Sequence, residues 1–203
     1  MSEVVGIVLA AGQSTRMGQP KALLPCPPAG RTFVTQIIHT LREGGLTTIA
    51  VVGRVNDHDL RREVGAATPA VSYVENPSPE LGQLSSLLAG IAFAEAQGAA
   101  GVLVVPVDMP LIRPATVRTV LDTFCATDEP VLRATYHARH GHPVIFRADV
   151  FPALRSADLA VGAREVLHQD PSRVRNLEVD DPGVLRDFDW PAEYRGLLEQ
   201  DRT

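Results

Sequence analysis

The chain has 203 residues, of which 45% are hydrophobic and 21% are charged, and its net charge is −5. These values predict one globular domain over residues 1–203. They argue against a nucleic-acid-binding protein, which needs a basic surface to replace phosphate counterions. Cys26 and Cys125 are too few for a disulfide framework. With no basic leader and no apolar run of membrane-spanning length, the sequence predicts a cytoplasmic protein without a membrane partner.

The first predicted element is a buried strand over the apolar run from Val4 to Leu9. Small, hydroxyl and cationic residues follow it: Ala10, Ala11, Gly12, Ser14, Arg16, Gly18 and Lys21. In such a loop, backbone N–H groups beside a guanidinium and an ammonium can cradle a polyphosphate. The alternative is an ordinary strand-to-helix loop that carries surface cations.

The choice of cation at Lys21 favours the phosphate-binding interpretation. The chain contains eighteen Arg residues, and Lys21 is its single Lys. On a solvated surface the two residue types can usually replace each other, and here Arg has taken every other such position. A compact, mobile ammonium therefore fits the requirement at Lys21 better than a rigid planar guanidinium does.

Strands and helices alternate along the rest of the chain. Thr32 can cap a helix that ends near Glu43, before Gly44-Gly45. The further predicted segments are a strand at 48–52, a helix at 57–64, a strand at 71–74, a helix ending near 96, a strand at 101–107, a helix at 114–124, a strand at 131–135, an edge strand at 144–146, a short helix at 149–154, a strand at 174–179 and a closing helix. This alternation predicts a Rossmann-like α/β domain with a mostly parallel sheet flanked by helices.

A turn-rich loop at residues 75–86 precedes the third helix. Ser85 or Ser86 can cap that helix. The loop also carries the amide groups of Asn76 and Gln83, which are hydrogen-bond donors and acceptors.

Asp108 follows the most apolar run of the chain, Gly101 to Val107. Ligands of open α/β sheets bind at the carboxyl ends of strands, and carboxylate oxygens are preferred by Mg²⁺. We therefore expect Asp108 to be a Mg²⁺ ligand; the alternative is a cap for the helix that begins near Pro114.

Residues 9–21, Leu-Ala-Ala-Gly-Gln-Ser-Thr-Arg-Met-Gly-Gln-Pro-Lys, closely resemble the signature of the MobA/MocA-like nucleotidyltransferases. The resemblance implies that the loop wraps the triphosphate of a nucleotide. It implies nucleotide-binding roles for Leu9, Ala10, Ala11, Gly12, Ser14, Arg16, Lys21, Asn76, Gln83 and Ser85. It also implies catalytic roles for Arg16, Lys21 and Asp108.

The resemblance extends to the second half of the chain. Asp108-Met-Pro resembles the metal-binding element of the family, and Asp189 is the candidate second metal ligand. Gly-His142-Pro places His142 on the acceptor side. His137 and His140 have no further ligand at metal-binding spacing and are predicted to be surface residues.

Two departures from the family pattern concern the acceptor. Leu159 and Ala160 stand where the family has Gly and Asp, and Trp190 replaces a Thr. A missing carboxylate there weakens the expectation of a molybdopterin-type acceptor. His142 and Asp189 lie in the half of the chain remote from the Gly12 loop, so they are expected to affect acceptor or metal use more than nucleotide affinity. Glu193 is expected only to face solvent.

The sequence therefore supports a Mg²⁺-dependent nucleotidyltransferase that moves a CMP-like group from a nucleoside triphosphate to a phosphorylated acceptor such as a molybdopterin cofactor. The Ala-Ala pair before Gly12 favours cytidylyl over guanylyl transfer. One alternative is an oxidoreductase that uses FMN and NAD(P)H, like the nicotine blue oxidoreductases of the same family. Another is a nucleotide-binding accessory protein for a molybdenum hydroxylase, without turnover of its own.

Overall fold

The computed structural model describes residues 3–27, 30–66 and 71–200, so the predicted domain of residues 1–203 extends beyond the described ranges. The strands within these ranges are β1 (Val4–Leu9), β2 (Pro25–Cys26), β3 (Arg31–Thr32), β4 (Ile49–Arg54), β5 (Ser72–Asn76), β6 (Gly101–Pro106), β7 (Val131–Tyr136), β8 (Arg139–Arg147) and β9 (Val174–Glu178). The helices are α1 (Phe33–Glu43), α2 (His58–Ala66), α3 (Gln83–Ala96), α4 (Pro114–Ala126), α5 (Phe151–Ser156), α6 (Arg164–Gln169) and α7 (Pro191–Gln200).

Seven of the strands form one sheet in the order β5-β4-β1-β6-β8-β7-β9. All neighbours pair in parallel except β8, which runs antiparallel to both β6 and β7. β2 and β3 form a separate two-stranded hairpin. The expectation of an α/β fold with a mostly parallel sheet flanked by helices is confirmed.

The core lies on both faces of this sheet. Every residue of β1 and β6 is buried, as expected for central strands with helices on either side. On one face, side chains of α1, α2 and α4 pack against Val4 and Val8; on the other, side chains of α3 and α5 pack against Val5, Ile7 and Leu9. The alternation along β1 thus divides one apolar run between two cores.

The position of β8 corrects the sequence prediction of an edge strand at 144–146. β8 has nine residues and lies between β6 and β7, whereas β5 and β9 form the edges of the sheet. Val144, Ile145 and Phe146 are all buried because the two faces of the strand contact different cores. Three apolar residues in sequence could not show how far the pairing extends on either side of them.

Helix starts were predicted with mixed success. Thr32 is the N-cap of α1, with its hydroxyl accepting from the Thr35 backbone, as predicted. The prediction that Ser85 or Ser86 caps α3 is wrong, because the N-cap is Gly82 and both serines lie inside the helix. No helix in the described ranges has the length and apolar character needed to cross a membrane.

Candidate functional site

The carboxyl ends of β1 and β6 lie side by side and open into a cleft. Leu9 pairs with Pro106, and the Val107 N–H donates to the Leu9 carbonyl at 3.0 Å, so the loop after β1 lies next to Asp108. This nucleotide cleft, as we call it below, has a volume of about 880 Å³. It is lined by the predicted nucleotide-binding residues Leu9, Ala10, Ala11, Gly12, Ser14, Lys21 and Gln83, and by Asp108.

The loop after β1 is held by its own backbone. Ser14 and Gly18 have positive φ values of 52° and 75°, and the Gly18 N–H donates to the Ser14 carbonyl at 3.1 Å. The Ser14 hydroxyl accepts from the Lys21 N–H at 3.1 Å. Met17 is buried against Phe188 and Leu24 in a small cluster, which anchors the middle of the loop. The turn at Ser14 and Gly18 and the buried side chain of Met17 thus fix the shape of the loop where it lines the cleft.

Lys21 is the centre of the charged part of the site. Its side chain is almost fully buried, and its ammonium donates to Asp108 Oδ2 at 3.1 Å and to Asp189 Oδ1. Arg16 Nη1 donates to the other oxygen of Asp189 at 2.8 Å. Arg16 is also 5.7 Å from the ring centroid of the exposed Trp190. The structure thus joins two cations of the first loop to one aspartate from the middle of the chain and one from near its C-terminal end.

The carboxylates and the ammonium shift one another's pKa values. Burial raises the pKa of Asp108, with Lys21 opposing the shift. For Asp189 the hydrogen bond from Lys21 dominates and lowers the pKa. Burial alone would lower the pKa of Lys21, but the two aspartates together outweigh it and the pKa is raised. Lys21 is therefore held as an ammonium.

The segment before α7 carries Asp189 to this position. The Phe188 N–H donates to the Asp108 carbonyl at 3.0 Å, and the Phe188 ring packs on Phe33 with centroids 5.6 Å apart. Glu193 accepts from the backbone N–H groups of Asp189 and Trp190 at 2.8 and 2.9 Å. The fold thus brings Asp189 to the loop from the opposite half of the chain. One expectation is wrong: Glu193 caps the start of α7 instead of only facing solvent.

Asp108 and Asp189 fit a divalent cation that binds together with a nucleotide. One oxygen of each carboxylate contacts the Lys21 ammonium, so a positively charged group already lies between the two carboxylates. The described residues contain no group of three or more His, Cys, Asp or Glu side chains arranged around a metal position. Two carboxylates with further ligands from substrate phosphates is the usual arrangement for Mg²⁺.

The amides of Asn76 and Gln83 are placed differently. Asn76 is buried, and its amide nitrogen donates to the hydroxyls of Ser85 and Ser86 at 2.8 and 2.9 Å. Its amide oxygen accepts from the Ser78 N–H. Asn76 and Ser85 thus hold the loop before α3, while Gln83 is exposed in the cleft. Direct nucleotide contact by Asn76 and Ser85 stays a prediction.

A second cleft of about 580 Å³, the acceptor cleft, contains His142. It shares the lining residues Leu9, Gly82 and Gln83 with the nucleotide cleft, so the two clefts are adjacent. Burial and the neighbouring Arg133 and Arg164 lower the pKa of His142 to about 4, so its imidazole is neutral at pH 7. His137 and His140 are surface residues as predicted, although His140 also lines this cleft.

Three arginines near the clefts were not identified from the sequence. Arg54 Nε donates to the Ala11 carbonyl at 2.9 Å and lines the nucleotide cleft. Arg133 and Arg164 line the acceptor cleft. Arg54 ends β4, and its place at a carboxyl strand end was a usable signal. Arg133 on β7 and Arg164 at the start of α6 come to line one cleft only in the tertiary structure.

Comparison with known proteins identifies the family of this chain. The family described as MobA-like NTP transferase domain matches residues 6–174. The purine catabolism protein PucB of Bacillus subtilis is 28% identical over 198 residues, covering 94% of each chain. The molybdenum cofactor guanylyltransferase of Xanthomonas euvesicatoria pv. vesicatoria is 37% identical over 116 residues, which are 57% of this chain and 52% of that relative.

A solved structure extends the similarity over nearly the whole chain. The crystal structure of Rv0371c from Mycobacterium tuberculosis H37Rv is 30% identical, with a TM-score of 0.81 and 98% of each chain covered. A second crystal structure of Rv0371c is a complex with manganese, at 28% identity and a TM-score of 0.76.

Proposed function

Because the chain belongs to the MobA-like NTP transferase family, we propose that this nucleotidyltransferase moves a cytidylyl group from CTP to a phosphorylated acceptor with the help of Mg²⁺. A molybdopterin cofactor is the first acceptor to test, since a relative named for molybdenum cofactor guanylyl transfer matches over half of its length. The Ala10-Ala11 pair before Gly12 supports CTP over GTP as donor.

The observation that carries the proposal is the network in which Lys21 contacts Asp108 and Asp189, and Asp189 also contacts Arg16. Lys21 and Asp108 line the nucleotide cleft. Two carboxylates that can share a divalent cation lie beside two side-chain cations that can face phosphate oxygens. This combination suits a polyphosphate with its accompanying metal ion. The manganese complex of Rv0371c supports a divalent ion in a protein of this fold.

The two clefts suggest how the substrates are divided. CTP would occupy the nucleotide cleft, with its phosphates along the Gly12 loop, and the acceptor would occupy the cleft that contains His142. Leu9, Gly82 and Gln83 line both clefts. The acceptor phosphate would reach the α-phosphorus of CTP beside these residues.

The transfer itself requires positioning and charge compensation. An acceptor phosphate oxygen attacks the α-phosphorus, the new P–O bond forms, the bond between the α-phosphorus and its bridging oxygen breaks, and pyrophosphate leaves with the electron pair. Arg16 and Lys21 would offset the charge on the pyrophosphate. Mg²⁺, held by Asp108 and Asp189, would supply further charge neutralisation on the phosphate oxygens. An acceptor phosphate is already anionic, so no general base is needed.

Pyrophosphate release tests this proposal. The purified protein, Mg²⁺ and molybdopterin are incubated in turn with CTP, GTP, ATP and UTP. We expect rapid release from CTP that stops when EDTA is added. Release from GTP alone would reverse the choice of base. Nucleotide binding without release from any of the four would instead support the accessory-protein alternative.

An absorbance spectrum of the same preparation addresses the oxidoreductase alternative. A flavin-dependent enzyme is yellow and is bleached by NADH, whereas the proposed transferase has no visible absorbance. A stoichiometric flavin in the purified protein would contradict the proposal.

A further inference from the structure

The acceptor cleft is lined by both apolar and basic residues. Its floor is apolar and is formed by side chains of the second core, among them Leu84, Leu87, Val144 and Phe146. Residues 159–163 of the segment before α6 lie on its other side. A ligand in this cleft would bury its body against hydrocarbon on the floor.

Exposed apolar side chains gather at the entrance. Among the described residues, Leu81, Leu159 and Val161 are three of the five large hydrophobic side chains that remain exposed. Leu159 and Val161 line the cleft, and Leu81 precedes Gly82, which also lines it. An exposed apolar group of this kind at a concave site is typical of ligand contact.

The charged residues in the cleft all carry one sign. Arg133 and Arg164 line it together with three histidines, and no Asp or Glu is among its lining residues. Arg133 donates through Nε and Nη2 to the neutral amide oxygen of Asn176, at 3.1 and 2.9 Å, so these hydrogen bonds leave its charge uncompensated. Within the described chain, Arg164 has no ion pair. The lowered pKa of His142 is consistent with this positive field.

We propose that the acceptor cleft selects a ligand with an apolar ring body and an anionic group, the ring packing on Leu87, Val144 and Leu159 and the anion facing Arg133 and Arg164. This inference rests on the proposed function for the identity of the ligand as acceptor. It narrows the acceptor from any phosphorylated small molecule to an amphipathic anion. A guanidinium pair in a partly apolar cleft binds anions more strongly than the same pair in water does.

Binding of a model ligand tests the proposal without turnover. The probe is 1-naphthyl phosphate, with inorganic phosphate as the anion alone and 1-naphthol as the ring alone; affinities are measured by calorimetry on the full chain. We expect 1-naphthyl phosphate to bind at least about tenfold more tightly than either half, because both parts of the cleft contribute. Equal affinity for 1-naphthyl phosphate and inorganic phosphate would overturn the proposal.

Substitutions at the rim locate the bound probe. Ala160 lines the cleft and is exposed, so Ala160→Asp should weaken binding about fivefold by charge repulsion, while the isosteric Ala160→Asn stays within twofold of wild type. Arg164→Gln, at another exposed position, should weaken binding about tenfold. Arg155→Gln, outside both clefts, is the matched control. Equal affinities for Ala160→Asp and Ala160→Asn would contradict the assignment.

Competition separates this inference from the proposed function. Saturating CTP with Mg²⁺ should leave the affinity for 1-naphthyl phosphate within about threefold, since the two ligands occupy different clefts. Complete displacement by CTP would place the probe in the nucleotide cleft and overturn the inference. Failure to release pyrophosphate would overturn the proposed function but would leave these binding results as they stand.

Discussion

Lys21 Nζ lies 3.1 Å from Asp108 Oδ2, although 87 residues separate the two in sequence. The same ammonium contacts Asp189, so one side-chain cation bridges the two carboxylates that are the candidate metal ligands. A divalent cation between these carboxylates must compete with Lys21. We therefore expect the Lys21 ammonium to neutralise the charge of both aspartates before the nucleotide and its metal ion bind. We expect it to contact the nucleotide phosphates afterwards.

Removing the ammonium should expose this competition. We predict that Lys21→Met binds Mn²⁺ in the absence of nucleotide about tenfold more tightly than wild type, because two carboxylates lose their internal counterion. The free Mn²⁺ signal in electron paramagnetic resonance measures the affinity. Lys21→Arg retains the charge and should stay near wild type in this titration, while its turnover falls. Unchanged or weaker Mn²⁺ binding by Lys21→Met would show that Lys21 does not compete with the metal ion.

The single lysine also makes its protonation measurable. Burial lowers the pKa of Lys21, but Asp189 and Asp108 outweigh it and raise the pKa, the hydrogen bond to Asp189 being the largest of the raising contributions. We therefore expect Asp189→Asn to speed the reaction of Lys21 with an amine-reactive reagent at pH 9, because more of the amine is unprotonated and nucleophilic. Peptide mapping follows the modified site, and the α-amino group provides an internal control whose rate stays constant. Equal labelling rates of Lys21 in wild type and Asp189→Asn would show that Asp189 does not raise the pKa of Lys21.

Gly183 allows the C-terminal segment to reach the site. A Cβ atom at Gly183 would lie 2.2 Å from the Leu111 carbonyl oxygen, which is backbone and cannot turn aside. Gly183→Ala should destabilise the fold by about 1–3 kcal/mol and weaken metal binding by displacing Asp189. Gly196→Ala is the matched control, since nothing lies near its Cβ and Ala is favoured within α7. Urea unfolding measures the free energy of unfolding of both variants. Equal values for Gly183→Ala and Gly196→Ala would contradict the close approach of Gly183 to Leu111.

His142 makes the fold sensitive to acid. Its pKa is lowered to about 4 from an ordinary 6.5, so between these pH values the unfolded chain binds more protons and stability falls as the pH falls. The loss at pH 5 relative to pH 7 should reach about 2 kcal/mol from this group. His142→Asn should abolish that part of the loss, while the exposed His58→Asn should retain it. Identical pH dependence of urea unfolding in wild type and His142→Asn would show that His142 is not buried in neutral form.

The sequence was sufficient for the fold and for the loop after β1, because both depend on local patterns. The apolar run of β1 and the cap at Thr32 determine their elements within a few residues. Asp108 was found from the rule that ligands bind at carboxyl strand ends. The predicted bounds agree with the observed ones within two residues for most segments. The exceptions are β8, which extends well beyond the predicted 144–146, and α6 and the β2–β3 hairpin, which were not predicted.

The partners of these residues could not be read from the sequence. The contact of Asp189 with Lys21 joins residues 168 positions apart in sequence, and no local pattern reveals it. Asn76 has the chemistry of a nucleobase ligand, yet its amide nitrogen donates to two serines in the first turn of α3. Leu159 was noted as a departure from the family pattern, but its place beside two arginines required the tertiary structure.

Pyrophosphate release by Asp108→Asn is the most direct test of the central claim that Asp108 and Asp189 hold the metal ion for nucleotidyl transfer. With CTP, Mg²⁺ and the acceptor, the rate should fall at least about a hundredfold, because an amide lacks the charge that the cation requires. Thermal unfolding should confirm an intact fold, and Asp122→Asn, at an exposed position on α4, should retain the wild-type rate. A rate for Asp108→Asn within a few-fold of wild type would contradict the account.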